Sequence, residues 1–268
     1  MAGLSSGSVY PVHLYDPIRL RIASELVEKE LAKVMPGSDA ANISKEVKGW
    51  WAQPADFKLA EVLDFWDAAD AIVGGIKLKS IITLITAANY SWSTATVNVS
   101  DLVLLSKLEQ LDRLPTLGNA PIRLSVIEQL LQRDPAERAE QQRIIDGFSK
   151  DEAQNAYRII GALDKDGSIR VQDGNRRALR ALLAGQSQID VWIYNDHGQQ
   201  PKDYWVPVSF MLRLVKMYRH NKENAQLVAG LKTVLDQLFK ESSVARIAYQ
   251  HRIIDFGVRG AEELVQGR

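Results

Sequence analysis

Asp196 and His197 stand side by side in the polar stretch YNDHGQ, with Asp203 a little further on. A carboxylate and an imidazole can form an acid–base pair, which would suit a hydrolase. Neighbours in an extended segment point to opposite sides, so adjacency alone does not assemble a dyad. No G-x-S-x-G elbow, H-E-x-x-H pair or Walker loop accompanies them. Arg176, Arg177 and Arg180 fall on the helix expected over NRRALRALLAG, where Arg176 and Arg180 share a face and Arg177 flanks it. Such a helix can lie along phosphates or in a major groove; a solvated helix face accounts for the same letters.

The stretch DKDGSIRVQDGN begins like a calcium loop. From Asp164, positions one, three and five are Asp164, Asp166 and Ser168, but position six is Ile169, not Gly, and position twelve is Asn175, not Glu. A turn, a short strand and a second turn explain it better. Glu61, Asp64 and Asp67 recur at three-residue steps on one helix side, which reads as a wet face. His13, His220 and His251 are scattered without ligand spacing, so no metal is expected, and no motif asks for a cofactor. Trp50, Trp51 and Trp92 are candidate anchors for a partner protein.

Composition narrows the classes. The 268 residues carry 33 basic and 33 acidic side chains. A neutral chain is a poor general binder of phosphate backbones, whose affinity comes from counterion release. Cysteine is absent, which excludes disulfides and thiolate metal sites and fits a cytoplasmic location. MAGLSSGSVYPVHLYDP lacks the basic and apolar regions of a secretory signal. The most apolar segment, 71–90, is interrupted by Lys77 and Lys79 and reads as core, not as a membrane span.

The elements that must hold these residues read mainly as helices. Asp16 and Pro17 open a helix over 18–35 that Pro36-Gly37 stops; another is expected over 39–51. FKLAEVLDFWDAADAIV follows a cap at Asp56 and is expected to end or bend at Gly74-Gly75. Residues 77–90 lean helical, SWSTATVNV reads as a strand, and LVLLSKLEQLDRL reads as a helix. PTLGNAP suggests a soft boundary near 117/118, giving lobes 1–117 and 118–268. Helices are then expected over 122–133, 135–148 and 150–163, the last with Ser149 and Glu152 as a capping box. QIDVWIYN and YWVPV read as a β-hairpin near 188–208, and helices close the chain. In NAQLVAGLKTVLDQLF the apolar stripe of Leu227, Leu231, Val234 and Leu238 is widened by Val228, Leu235 and Phe239, which fits either the chain's own core or a second surface.

The expected fold is therefore a mainly α, multi-helix protein with a small β-hairpin in its second half. From Lys150 onward the order is helix, short strand, basic helix, strand, long loop, strand. That order resembles a winged-helix domain, with one helix where the family has two between its first strands. The resemblance implies nucleic-acid contact by Arg176, Arg177 and Arg180, with Lys202 on the wing. Against this stand the neutral charge, the many amphipathic helices and the lack of a catalytic motif. They favour a non-enzymatic structural or adaptor subunit that self-assembles or binds a protein partner. Nucleic-acid binding and a hydrolase at Asp196/His197 are the alternatives.

Overall fold

The computed structural model describes residues 11–32, 58–77, 81–105, 121–147 and 157–255, with Asn42, Lys45 and Gly49. It divides the chain into two compact units, Tyr90–Gln200, and Met1–Asn89 with Pro201–Arg268. The boundary read at 117/118, the helix expected at 39–51 apart from the helical residues Asn42, Lys45 and Gly49, the caps at Asp56 and at Ser149/Glu152, and Trp50 and Trp51 lie outside the described residues.

The unit of Tyr90–Gln200 is an α/β body, which corrects the mainly helical expectation. Its strands are β1 (Ser91–Asn98), β2 (Leu102–Leu104), β3 (Ile122–Arg123), β4 (Ile159–Leu163), β5 (Ile169–Asp173) and β6 (Gln188–Asn195). They form one six-stranded mixed sheet in the order β1-β6-β4-β5-β2-β3. β4 runs parallel to β6 and antiparallel to β5; β5 runs parallel to β2, while β1 pairs antiparallel with β6 and β2 with β3. A three-residue 3-10 turn, Val99–Asp101, links β1 at the first position to β2 at the fifth. Four strand spacings are about 19 Å, and the short link reaches at most about 15 Å, so the sheet must curl.

The hairpin at 188–208 does not form. β6 pairs with β1 and β4, strands distant in sequence, and Tyr204–Pro207 carries no strand. The winged-helix order fails with it, because Ile159–Leu163, read as the end of a helix, is the strand β4. LVL, read as a helix start, is the strand β2. The reason is burial. Ile159, Val171, Val191 and Ile193 face a core, while Ile160, Ala162, Trp192 and Tyr194 are buried as well. A strand buried on both faces loses the alternation that marks a half-exposed one.

Helices α4 (Leu124–Arg133), α5 (Pro135–Gly147) and α6 (Asn175–Leu183) supply Leu124, Ile127, Ile145, Leu179 and Leu182 to that core; the helices α1–α3 belong to the other unit. Gly161 is the tightest point of the sheet. A β-carbon there would lie 2.3 Å from the Cγ2 methyl of Ile169, next to a register shift between Ile160 and Gly161.

The other unit is helical: α1 (Pro17–Ala32), α2 (Leu59–Lys77), α3 (Ile81–Thr86), α7 (Val208–His220), α8 (Ala225–Glu241) and α9 (Ser243–Asp255). Asp16 caps α1 by accepting from the Ile18 N–H at 2.9 Å. α2 runs through Gly74-Gly75 to Lys77, so the expected stop there does not occur. Ile81, Ile82 and Ile85 are buried, and no described helix is long and apolar enough to cross a membrane. On α8 the broad stripe divides: Leu231, Leu235 and Phe239 are buried, Leu227, Val228 and Leu238 are half-buried, and Val234 is exposed.

The irregular segment Lys202–Trp205 ties this unit together. The Ala88 N–H donates to the Lys202 carbonyl at 2.8 Å, and the Trp205 N–H donates to Thr86 Oγ1 at 2.8 Å. Asp203 takes a left-handed φ of 49° and accepts from Ser243 Oγ and the Val244 N–H, capping α9. His13 Nε2 bonds the Asp203 carbonyl at 3.0 Å, and burial holds its imidazole below the usual value. Arg19, also buried, donates to the carbonyls of Ile85 and Ala87 at the end of α3.

Two outcomes follow. Replacing Gly161 with Ala costs about 1–3 kcal/mol through overpacking. In a cycle with Ile169→Ala the double variant loses less stability than the two single variants' losses added together, as denaturant midpoints will show. Asp70 on α2 is buried, and burial, with the Asp67 charge second, pushes its carboxyl up to about 6. A carboxyl raised in the folded state binds protons more tightly there, so stability falls as pH rises from about 4 to about 6 and stays lowered above. Asp70→Asn raises the unfolding free energy at pH 7 by roughly 1–2 kcal/mol after allowance for partial solvation, seen as a higher melting temperature, and leaves both unchanged near pH 4.

Candidate functional site

The β4–β5 turn and the end of β6 meet because β4 and β6 are parallel neighbours and β5 turns straight back beside β4. The turn closes with the Gly167 N–H donating to the Asp164 carbonyl at 3.0 Å, Gly167 holding φ 79°. Only glycine adopts that conformation without strain. Across from it, the loop after β6 is built from two side-chain turns. Asn195 Oδ1 accepts from the His197 N–H, and Asp196 Oδ1 from the Gly198 N–H, both at 2.8 Å. His197 itself sits at φ 51°.

Between them lies a cavity of about 520 Å³ lined by Asp164, Asp166, Arg170, Asp196 and His197, among others. Arg170 Nε reaches both oxygens of Asp164 at 2.8 Å, and its Nη2 lies 3.6 Å from Asp196. Asp166 accepts from the hydroxyl and the N–H of Ser168 and pairs with Arg123; these hold its carboxyl below the usual range. Behind the loop, Tyr90 stacks on Tyr194 with centroids 5.1 Å apart, and Trp92 lies 4.9 Å from Tyr194. Burial, with Asp196 next, raises both tyrosines, Tyr194 to about 12, so both hydroxyls stay protonated at neutral pH. The Tyr90 hydroxyl donates to the Gln199 carbonyl at 3.1 Å.

Two arginines serve the pocket's three carboxylates: Arg123 pairs with Asp166, and Arg170 faces both Asp164 and Asp196, whose carboxylate also accepts from the Gly198 N–H. Among the described residues, no carboxylate bonds the exposed His197 ring, and no cluster of His, Asp or Glu is placed to hold a metal ion. The arrangement can accept a small polar ligand; it does not bring an acid–base dyad together. Asp164–Gly167, expected as a turn in place of a calcium loop, form a turn.

The arginines of α6 separate. Arg176 is exposed. Arg177 donates through Nη1 to the carbonyls of Tyr157 and Arg158 and through Nη2 to Asp173 at 2.9 Å. Arg180 donates to the Ile145 carbonyl at 2.9 Å. Two of the three therefore hold β4 and α5 to α6. Lys202 belongs to the other unit and is exposed there, its N–H donating to Asn89 Oδ1 at 2.8 Å. Trp92 is buried against Tyr194.

Sequence reasoning passed over a different surface. On α7, Met211, Leu214, Val215 and Tyr218 are buried, while Phe210, Leu212 and Met217 remain 41%, 37% and 45% exposed. The available signal was Phe210 and Met217, seven residues apart, lying beside the buried stripe instead of inside it. No protein-family model, curated protein or solved structure matches the chain.

Arg177→Gln strips donors from two carbonyls and a carboxylate and lowers stability by about 2–3 kcal/mol. Arg176→Gln stays within about 0.5 kcal/mol. Thermal melts of the two single variants, side by side, make the comparison.

Proposed function

We propose that the chain is a non-enzymatic structural or adaptor subunit that works by binding a protein through α7. The observation that carries this reading is the exposure of Phe210, Leu212 and Met217 on one helix. Phe210 and Met217, seven residues apart, share one flank of the helix, and Leu212 lies on the other; neighbouring large apolar side chains on a surface mark interaction sites more often than single ones do. They stand among Arg213, Lys216 and Arg219, all exposed, a mixed composition that suits an interface rim and core. The arginines once considered for nucleic acid support the same reading by their employment elsewhere, since Arg177 and Arg180 bond main-chain carbonyls. In the pocket at Asp196 and His197, Arg170 engages both Asp164 and Asp196, which supports reading those carboxylates as structural.

A photo-reactive benzoylphenylalanine placed at 210 or 217 tests this. Cross-links to protein form from these two positions, and not from position 126, where Val126 is comparably exposed on α4. Equal labelling from all three, or none from 210 and 217, removes α7 as the interaction surface.

A further inference from the structure

We infer that α7 docks on α2 of a second copy of this chain, an inference that rests on α7 being the interaction surface. The argument starts from charge. The chain is neutral overall, yet Val208–Lys222 holds Arg213, Lys216, Arg219 and Lys222 and no acidic residue. Residues 59–76 hold Glu61, Asp64, Asp67 and Asp70 and no basic one. Basic side chains thus gather on α7 and just past its end, and carboxylates on α2, whose one basic residue is Lys77 at its last position; both helices belong to one unit.

The rows also have equal spacing. Arg213, Lys216 and Arg219 recur every three residues, as do Glu61, Asp64 and Asp67, so each row climbs about 4.5 Å per step, and the two rows lie along one another when the helices cross near a right angle. On α7 all three cations are exposed; on α2, Glu61 and Asp64 are exposed and Asp67 is half-buried. Arg219, Asp64 and Asp67 have partners within their own chain as well, so the pairing between copies adds to existing contacts. Beside the carboxylates α2 presents Ala60, Ala68, Ala71 and Ile72, none of them buried. Small side chains there let a helix carrying Phe210 and Met217 come close.

Other occupants fit less well. Insertion into a membrane needs a helix's whole apolar face, and that of α7 is already spent on Met211, Leu214, Val215 and Tyr218. A polynucleotide would match the cations but leave Phe210 and Met217 in water. One helix pair buries less than a standard interface, and exposed ion pairs are individually weak. The association is therefore weak, rising with concentration and falling with salt.

Sedimentation equilibrium of the full chain tests this with two charge-swapped variants, Arg213→Glu/Lys216→Glu and Asp64→Lys/Asp67→Lys. The unchanged chain gains mass with concentration at low salt and returns to monomer in about 1 M salt, where screening is nearly complete. Each swapped variant alone is monomeric, because its two rows now repel. A one-to-one mixture of the two associates again, since each reversed row meets its opposite. Melting curves establish that both variants are folded; if one is not, Lys216→Glu and Asp64→Lys carry the same mixing test. A mixture of folded variants that stays monomeric overturns the inference, as does self-association that the swaps leave untouched. A monomeric chain whose positions 210 and 217 cross-link a different protein overturns self-docking and leaves the α7 reading standing. A monomer with no such cross-links ends both, and loss of binding to DNA or anionic vesicles in place of self-association also overturns the inference.

Discussion

Buried main-chain carbonyls at the ends of short elements must find a donor, and this chain meets the demand largely with arginine. Arg19 reaches the last carbonyls of α3. Arg177 holds those just before β4, Arg180 that of Ile145 near the end of α5, and Arg138 that of Leu183 at the end of α6. The planar guanidinium offers several donors in a fixed fork and stays charged when partly buried, which lysine does less well. Each such contact joins one element's end to another element's body. These bonds therefore set which helix sits against which strand, and they consume charge that a composition count would leave for partners.

The sheet adds a second constraint. β4 occupies the middle, and both of its edges are paired, to β5 and to β6. With apolar neighbours on both faces it leaves little room, and Gly161 marks where the Ile169 side chain needs that space. Placing β4 beside parallel β6 is also what brings the Asp164 turn to the loop of Asp196 and His197. The polar pocket is thus a consequence of strand order. Its carboxylates and arginines, drawn together there, settle into pairs with one another.

In the helical unit the same economy appears without a sheet. The irregular segment Lys202–Trp205 exchanges bonds with His13, Thr86, Ala88 and the start of α9. Further along the chain, on α7, exposed apolar and cationic side chains share an outward face. That contrast, charges absorbed in one place and displayed in another, is why the functional reading rests on α7 and not on the pocket.

Local chemistry was legible in the sequence. The Asp16 cap and Pro17 start of α1, the strand at Ser91–Asn98, the turn at Asp164–Gly167, the short strand after it and the glycine that ends α6 all depend on neighbours in the chain. So did the doubt over Asp196 and His197, since adjacent side chains diverge. The tertiary structure decided what depends on distant partners. Ile159–Leu163 and Leu102–Leu104 become strands because β5, β6 and β3 complete their ladders, and burial on both sides erases the alternation that would have announced the first of them. Arg177 and Arg180 look alike with exposed Arg176 in sequence, yet only folding brings Tyr157, Arg158 and Ile145 within their reach. Periodicity records which residues share a helix face; it cannot record what that face meets, because the carbonyls and strands it meets come from elsewhere in the chain.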